Sequence, residues 1–312
     1  MTILITGVHG FVGSNLVAAL KGDNEIYGLD IVAPEKDGVI KTFSWDDLGN
    51  GLLPPIDAII HLAGKAHDTK NQTEAEVYFK VNTGLTQKIY DYFLQSSAKK
   101  FIFFSTAKAA ADRVEGVLTE DVVPSPKGPY GESKIKAEEY IQSHLSDEKQ
   151  VYILRPCMIH GPGNKGNLNL LYNVVKKGIT WPLGAYDNRR TFTSIDNLSF
   201  VINGLLTKDV PTGIYNMGDD EALSTNELIE IICHSLGKKA RIWKWSKGLI
   251  NTGAKLGTKL HLPLDEERLR KLTENYISSN AKIKTALGIE KMPVSARDGL
   301  MKTLNSFKEE QK

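Results

Sequence analysis

Strand and helix alternate from the first residues of this chain, and that rhythm constrains its fold more than any other feature. Apolar, β-rich runs recur at TILIT, EIYGLDI, AIIHLA, KFIFFST and VYILRP, with helical segments such as SNLVAAL and FKVNTGLTQKIYDYFL between them. Strands this continuously apolar are buried on both faces, so the intervening helices must cover a parallel sheet. The expected fold class is α/β, a doubly wound parallel sheet. Past Pro156 the rhythm breaks: GPGNKGN leads into the helical run LNLLYNVVKK, TFTSIDNLSFVINGLL reads as strand plus helix, and IYNMG as another strand. The helix STNELIEIICHSLG carries a capping box in Ser224 and Glu227 and a stop at Gly237. These later pieces predict a smaller, discontinuous C-terminal lobe closing over the carboxyl edge of the sheet.

The first strand runs straight into GVHGFVG, which places Gly7, Gly10 and Gly13 in the pattern GxxGxxG and opens a helix with Phe11 and Val12 in its first turn. Glycine lets the backbone turn tightly and approach a diphosphate, whose charge the helix N-terminus favours. The spacing departs from the GxGxxG fingerprint, so its position carries the reading. The first strand-to-helix turn, with Asp30 ending the second strand, predicts a dinucleotide site of Rossmann type. The Asp30 carboxylate would accept hydrogen bonds from the adenosine ribose hydroxyls and repel a 2′-phosphate, which predicts NAD rather than NADP. HLAG, with Leu62, Ala63 and Gly64, ends a buried strand where small residues let a cofactor approach. His61 reads there as a satisfied structural histidine rather than a base. FFSTAK ends the fifth strand and sets Ser105 and Thr106 at the carboxyl edge, where such sheets bind ligands.

The segment PYGESKIKAEE predicts a helix from Tyr130 to Leu145, with Tyr130, Ala137, Ile141 and Leu145 along one face. Tyr130 and Lys134 then stand one turn apart. A phenol of pKa about 10 is a poor proton carrier at neutral pH, but a nearby ammonium favours its phenolate. A hydroxyl from the Ser105–Thr106 strand end would hold a substrate oxygen while Tyr130 moves its proton.

A net charge of +2 argues against nucleic acid or an anionic membrane as main partner, since both go with concentrated basic patches. Cys157 and Cys233 lie far apart with no metal-type spacing, so no metal site is expected. MTILITG leaves no room for a signal peptide and no run approaches the length of a membrane span. A soluble cytoplasmic protein is the expectation.

Taken in order, GVHGFVG, Asp30, HLAG, VNTG at Val81 to Gly84, the Ser-Thr strand end, PYGESK and LRPCMIHGPG resemble the extended short-chain dehydrogenases/reductases that act on nucleotide sugars, over nearly the whole chain. The resemblance implies that Tyr130 is the general acid/base, that Lys134 lowers its pKa and holds the nicotinamide ribose, and that Thr106 orients the reacting hydroxyl or carbonyl. It implies an NAD-binding domain over 1–160, with 191–212 returning to it, and a nucleotide-sugar lobe made mainly of 161–190 and 213–312. Asn167 and Leu168 stand where the family holds the sugar diphosphate, and Arg190 where a pyrophosphate-binding arginine is expected, its planar fork suited to two phosphate oxygens. Arg189 reads as its solvated neighbour. Arg268 or Arg270 would clamp the phosphate from the lobe, although DEERLRK also reads as a charged helix face. A UDP-sugar substrate and a homodimer through a helical bundle follow from the same likeness.

Three reactions compete within the family. Ala107 and Lys108 stand where dehydratases carry Asp and Glu, which argues against dehydration. Ala110-Ala111 and Met158 depart from the Tyr-Gly pair and the asparagine usual in epimerases. STAKAA, HLAGKAHD and PLGAYDNRRTFTSIDNL look more like reductases of UDP-4-keto-6-deoxy-N-acetylhexosamines, and C4 reduction is the first expectation. A UDP-glucose or UDP-N-acetylglucosamine 4-epimerase is the alternative, and a non-catalytic nucleotide-binding regulator is the reading from another class. Lys108 reads by default as a solvated lysine.

Overall fold

Seven parallel strands form the centre of the structure, a computed structural model that describes residues 1–66, 74–164, 166–260 and 265–309. They are β1 (Thr2–Thr6), β2 (Glu25–Leu29), β3 (Lys41–Phe43), β4 (Ala58–His61), β5 (Lys100–Phe104), β6 (Gln150–Pro156) and β7 (Gly213–Met217). Their order across the sheet is β7-β6-β5-β4-β1-β2-β3. The order reverses between β1 and β4, and in doubly wound sheets a ligand crevice opens at the carboxyl ends beside such a reversal.

Alternation along each strand sends side chains to two covered faces. On one face Ile3 and Ile5 of β1 and Ile102 of β5 pack with Leu16 and Val17 of α1 (Phe11–Leu20). On the other, Leu4, Phe101 and Phe103 pack with Ile89 and Phe93 of α2 (Leu85–Gln95) and Ile141 of α3 (Pro129–Ser143). Full burial of one such side chain contributes about 1.5–3 kcal/mol. The face of α1 is completed by Leu198, Val201 and Leu205 from Ile195–Thr207.

The lobe has its own apolar core, in which α4 (Asn167–Lys176) contributes Leu168 and Tyr172, and α5 (Thr225–Ser235) contributes Leu228 and Ile232. The capping box at Ser224 and Glu227 forms, and Gly237 takes φ 66° just past the helix. Two sequence expectations are corrected. The strand at Gly213, assigned to the lobe, instead pairs with β6 as the edge strand of the sheet, because Tyr215 and Met217 bury against the sheet core. The helix over Tyr130–Leu145 ends at Ser143, since the inward stripe stops at Ile141 and Leu145 is exposed.

Candidate active site

The turn after β1 is built for close approach. Gly7 has φ 69°, a left-handed conformation that favours glycine, and a Cβ on Gly13 would stand 2.4 Å from the Gly7 carbonyl oxygen. A Cβ on Gly7 would come 3.0 Å from the Ala63 amide nitrogen, so the turn also packs onto the end of β4. Gly10 caps α1 without a side-chain hydrogen bond, and no acidic residue occupies the first turn, where Phe11 and Val12 are half-buried. The positive end of that helix therefore faces the crevice uncompensated. At the end of β2, Asp30 accepts hydrogen bonds from the His9 amide (3.1 Å) and the Ile31 amide (2.8 Å), which fixes its carboxylate beside the glycine turn. Leu62, Ala63 and Gly64 continue the same rim, Leu62 and Ala63 half-buried and Gly64 exposed. These groups fit a dinucleotide: a glycine cradle for the diphosphate, a helix end for its charge and an acceptor for a ribose.

On the opposite side of the crevice, Thr106 follows β5 and its side chain hydrogen-bonds Tyr130. Burial pushes the Tyr130 phenol up from its ordinary pKa, the Thr106 hydrogen bond pulls it down, and the neighbouring Tyr78 raises it. The Tyr78 ring meets that of Tyr130 edge-on at 6.2 Å. Lys134 is buried, its ammonium donating to the Phe104 carbonyl (2.8 Å), and burial lowers its pKa to about 8 against the opposing charge of Glu138. A Cβ on Gly64 would lie 3.2 Å from Lys134 Nζ, so the ammonium reaches across to the rim after β4. Gly131 lets α3 approach this closely, since a Cβ there would sit 2.7 Å from the Lys108 carbonyl oxygen. Thr106, Tyr130 and Lys134 thus converge at the carboxyl end of β5.

Beneath them lies a polar layer. Ser105 bonds Glu138, and Glu138 takes Arg155 of β6 in a buried pair (Nη2 to Oε2 2.6 Å, Nε to Oε1 3.1 Å). Glu138 and Arg155 escaped sequence reasoning, although Glu138 stands one turn beyond Lys134 on the same helix. VNTG lies within a π-helical stretch, Phe79–Gly84, a distortion frequent at functional sites. Its Asn82 accepts from the Lys65 amide (2.8 Å) and donates to Ser133 Oγ (2.9 Å), which donates to the Tyr130 carbonyl (2.9 Å). His61 bonds Thr6 through Nδ1 (2.7 Å) and Thr86 through Nε2 (3.0 Å), and burial, followed by the Lys134 charge, holds it well below its ordinary pKa. It is a neutral, fully engaged imidazole, as its place in HLAG suggests.

The residues expected at the sugar diphosphate are less uniformly placed. Asn167 is exposed at the first position of α4, whereas Leu168 is buried in the lobe core, so only its backbone can face a ligand. Arg190 is half-buried, bonds the Lys271 carbonyl and lies close enough to Cys157, at the end of β6, to pull that thiol down against its burial. Arg189 points outward to Glu227 (2.9 Å). The two candidate clamps differ in their surroundings. Arg270 lies 3.7 Å from Asp112, which also pairs with Lys108 (3.0 Å) just past Thr106. Arg268 is 62% exposed beside Asp265, the cap of its own helix, because its position on that helix faces solvent. Among the described residues no group of His, Cys, Asp and Glu could hold a metal ion.

Both the sequence and the fold have known relatives. The model of the NAD dependent epimerase/dehydratase family matches residues 3–218. The UDP-glucose 4-epimerase of Vibrio cholerae is 31% identical over 255 residues, covering 76% of this chain and 76% of that protein. The N-acetyl-alpha-D-glucosaminyl-diphospho-ditrans,octacis-undecaprenol 4-epimerase of Escherichia coli O157:H7 is 28% identical over 246 residues, covering 76% and 73%. In fold, the chain is similar to a UDP-glucuronic acid 4-epimerase from Bacillus cereus solved with NAD, with a TM-score of 0.76, 22% identity and full coverage of both chains.

Proposed function

The chain belongs to the NAD dependent epimerase/dehydratase family, and from that premise we propose that it oxidises and reduces C4 of a UDP-linked hexose, with redox-neutral 4-epimerisation as the overall reaction. The observation that carries the proposal is the convergence of Thr106, Tyr130 and Lys134 across a crevice from the glycine turn of Gly7, Gly10 and Gly13. When bound, NAD supplies the acceptor and donor of hydride.

The chain's own residues bind, orient and manage the proton. The glycine turn and the first turn of α1 would hold the cofactor diphosphate, Asp30 its adenosine ribose, and Lys134 the nicotinamide ribose. Arg190, with Asn167 at the start of α4, would hold the diphosphate of the sugar. Tyr130 takes the proton from the C4 hydroxyl as that carbon is oxidised and returns it on reduction. Burial, against the Thr106 hydrogen bond, keeps the phenol protonated at neutral pH, which suits donation; an ammonium one helical turn away, that of Lys134, would favour the phenolate needed for the reverse step. Thr106, already bonded to the phenol, orients the sugar oxygen.

Epimerisation is preferred as the outcome because a relative 31% identical to this chain bears that activity in its name. One-way reduction of a UDP-4-keto-6-deoxy-N-acetylhexosamine is the second reading, favoured by Ala110-Ala111 and Met158 at positions where epimerases usually differ. The test is a panel of UDP-hexoses, UDP-4-keto sugars and, in view of the Escherichia coli relative, a polyprenyl-diphosphate-linked N-acetylglucosamine. Interconversion of two C4 epimers with no net NADH use is the expected result. Stoichiometric NADH oxidation on a keto sugar would move the assignment to the reductase, and NAD binding without turnover to a regulator. Tyr130→Phe should bind NAD and lose turnover; full turnover in that variant would remove Tyr130 from the chemistry.

A further inference from the structure

The lobe presents a surface that the active site does not use. Trp243 and Trp245 are 54% and 44% exposed, with rings stacked at 6.1 Å and 25°. The helix that follows them, Lys247–Leu260, carries two apolar stripes. Ile250, Ala254 and Gly257 face inward and are buried. Leu249, Leu256 and Leu260 are exposed, and their spacing of seven and four residues sets them along a single line on the helix, away from the buried stripe. A helix needs only one apolar stripe to join a core.

The charge carried by this segment itself is of one sign, although the helix Glu266–Thr273 packs its acidic first turn against the end of Lys247–Leu260. Between Glu230 and Asp265 the sequence holds seven Lys and Arg residues and no Asp or Glu. Lys244, Lys247, Lys255 and Lys259 are exposed beside the tryptophans and leucines. The chain's net charge of +2 averages this patch away, which is why bulk charge gave no sign of it.

We propose that this face is a peripheral docking surface for an anionic phospholipid bilayer, with the helix Lys247–Leu260 lying in the plane of the membrane. Indole rings and leucines suit the boundary between headgroups and acyl chains, and flanking lysines suit anionic headgroups. Among the described residues no helix is long and apolar enough to cross a membrane. An exposed leucine line flanked by lysines suits a helix that lies on the surface. Charge decides against a second copy of this chain. A two-fold contact through the patch would set lysines against lysines. Nucleic acid would match the charge, and a single strand could stack on the indoles, but the leucine stripe would be left without an apolar counterpart. The surface is joined to the substrate side of the lobe: the Tyr186 hydroxyl donates to Asn251 of the helix (2.9 Å), and Lys247 sits 5.4 Å over the Tyr186 ring, four residues before Arg190. Docking would therefore bring the lobe, rather than the far edge of the sheet, to the bilayer. The inference does not depend on which C4 reaction the chain performs.

The experiment uses the full chain with vesicles of phosphatidylcholine, alone or mixed with phosphatidylglycerol. The protein should sediment with the mixed vesicles and stay in solution with phosphatidylcholine alone, and brominated acyl chains should quench part of its tryptophan emission. Trp243→Ala/Trp245→Ala should lose both the quenching and most of the sedimentation, while Lys244→Glu/Lys255→Glu should lose the sedimentation, each with unchanged thermal unfolding and unchanged NAD binding. Failure of the wild type to sediment would overturn the proposal. So would sedimentation without quenching that survives the tryptophan changes, which would mean adhesion by charge alone. A wild-type dimer that the tryptophan variant converts to monomer would assign the patch to a second copy instead.

Discussion

At the scale of single residues, Lys134 carries the sharpest consequence. Its ammonium is buried, bonded to the Phe104 carbonyl and set 4.9 Å over the Phe103 ring. Burial lowers its pKa from 10.5 to about 8, so folding disfavours the charged form. The sign follows from linkage. Between about pH 8 and 10.5 the unfolded chain holds more protons on this group than the folded chain does, so its contribution to stability rises with pH through that window. Lys134→Met removes the linkage. The stability of the wild type relative to the variant should therefore grow by roughly 1–3 kcal/mol from about pH 7 to about pH 10, read from denaturant midpoints of cofactor-free protein. A difference that stays flat would mean that Lys134 titrates as an exposed lysine. The spacing of Tyr130 and Lys134 was legible in the sequence because one helix supplies both. The part played by Thr106 in pulling the phenol down was only half legible, since it depends on how closely the end of β5 meets α3.

At the scale of elements, α3 is held by contacts that join sequence segments far apart. Its Ser133 meets Asn82 of the π-helical turn, its Gly131 abuts the Lys108 carbonyl, and its Glu138 meets Arg155 of β6. No periodicity announces the last pair. Glu138 reads as one more polar residue in a helix, and Arg155 as a polar interruption near the end of an apolar strand; only the register of β6 beneath α3 brings them together. The same limit explains the edge strand β7. IYNMG is visibly a strand, but whether it belongs to sheet or lobe depends on pairing with β6 across 61 residues of sequence. Strand existence and the glycine turn were legible because each is written in neighbouring residues. The buried pair makes a clear prediction: Arg155→Met leaves the Glu138 carboxylate buried without its partner and should cost about 3–5 kcal/mol, measured by denaturant unfolding. Adding Glu138→Leu should recover much of that loss, because the uncompensated charge is then gone. No recovery would show that the pair acts through packing alone.

At the scale of the whole molecule, the proposed cofactor groups come from the sheet and the proposed sugar-diphosphate groups from the lobe, so such a site would depend on how the two are joined. The seam is specific. Tyr276 donates to the Ala111 carbonyl (2.8 Å), Ile277–Ser278 pairs with Val117–Leu118, and Arg270 approaches Asp112. Arg190 stands at this seam, its backbone bridged to both Leu223 and Tyr276. Two roles for its guanidinium then make different predictions. If it binds the sugar diphosphate, Arg190→Met should weaken UDP by the loss of a buried charge contact, about 2 kcal/mol or more, which is roughly thirtyfold in the dissociation constant. NAD, held by the sheet, should bind the variant as it binds the wild type. If the guanidinium instead serves only the Lys271 carbonyl, the variant should unfold at lower denaturant while UDP affinity stays within about twofold of the wild type, a change of less than about 0.5 kcal/mol. Calorimetric titration of UDP and NAD against both proteins, with unfolding measured in parallel, separates these outcomes. A selective loss of UDP binding would make the lobe the half of the molecule that selects the substrate, leaving the sheet to hold the cofactor and the proton-transfer groups.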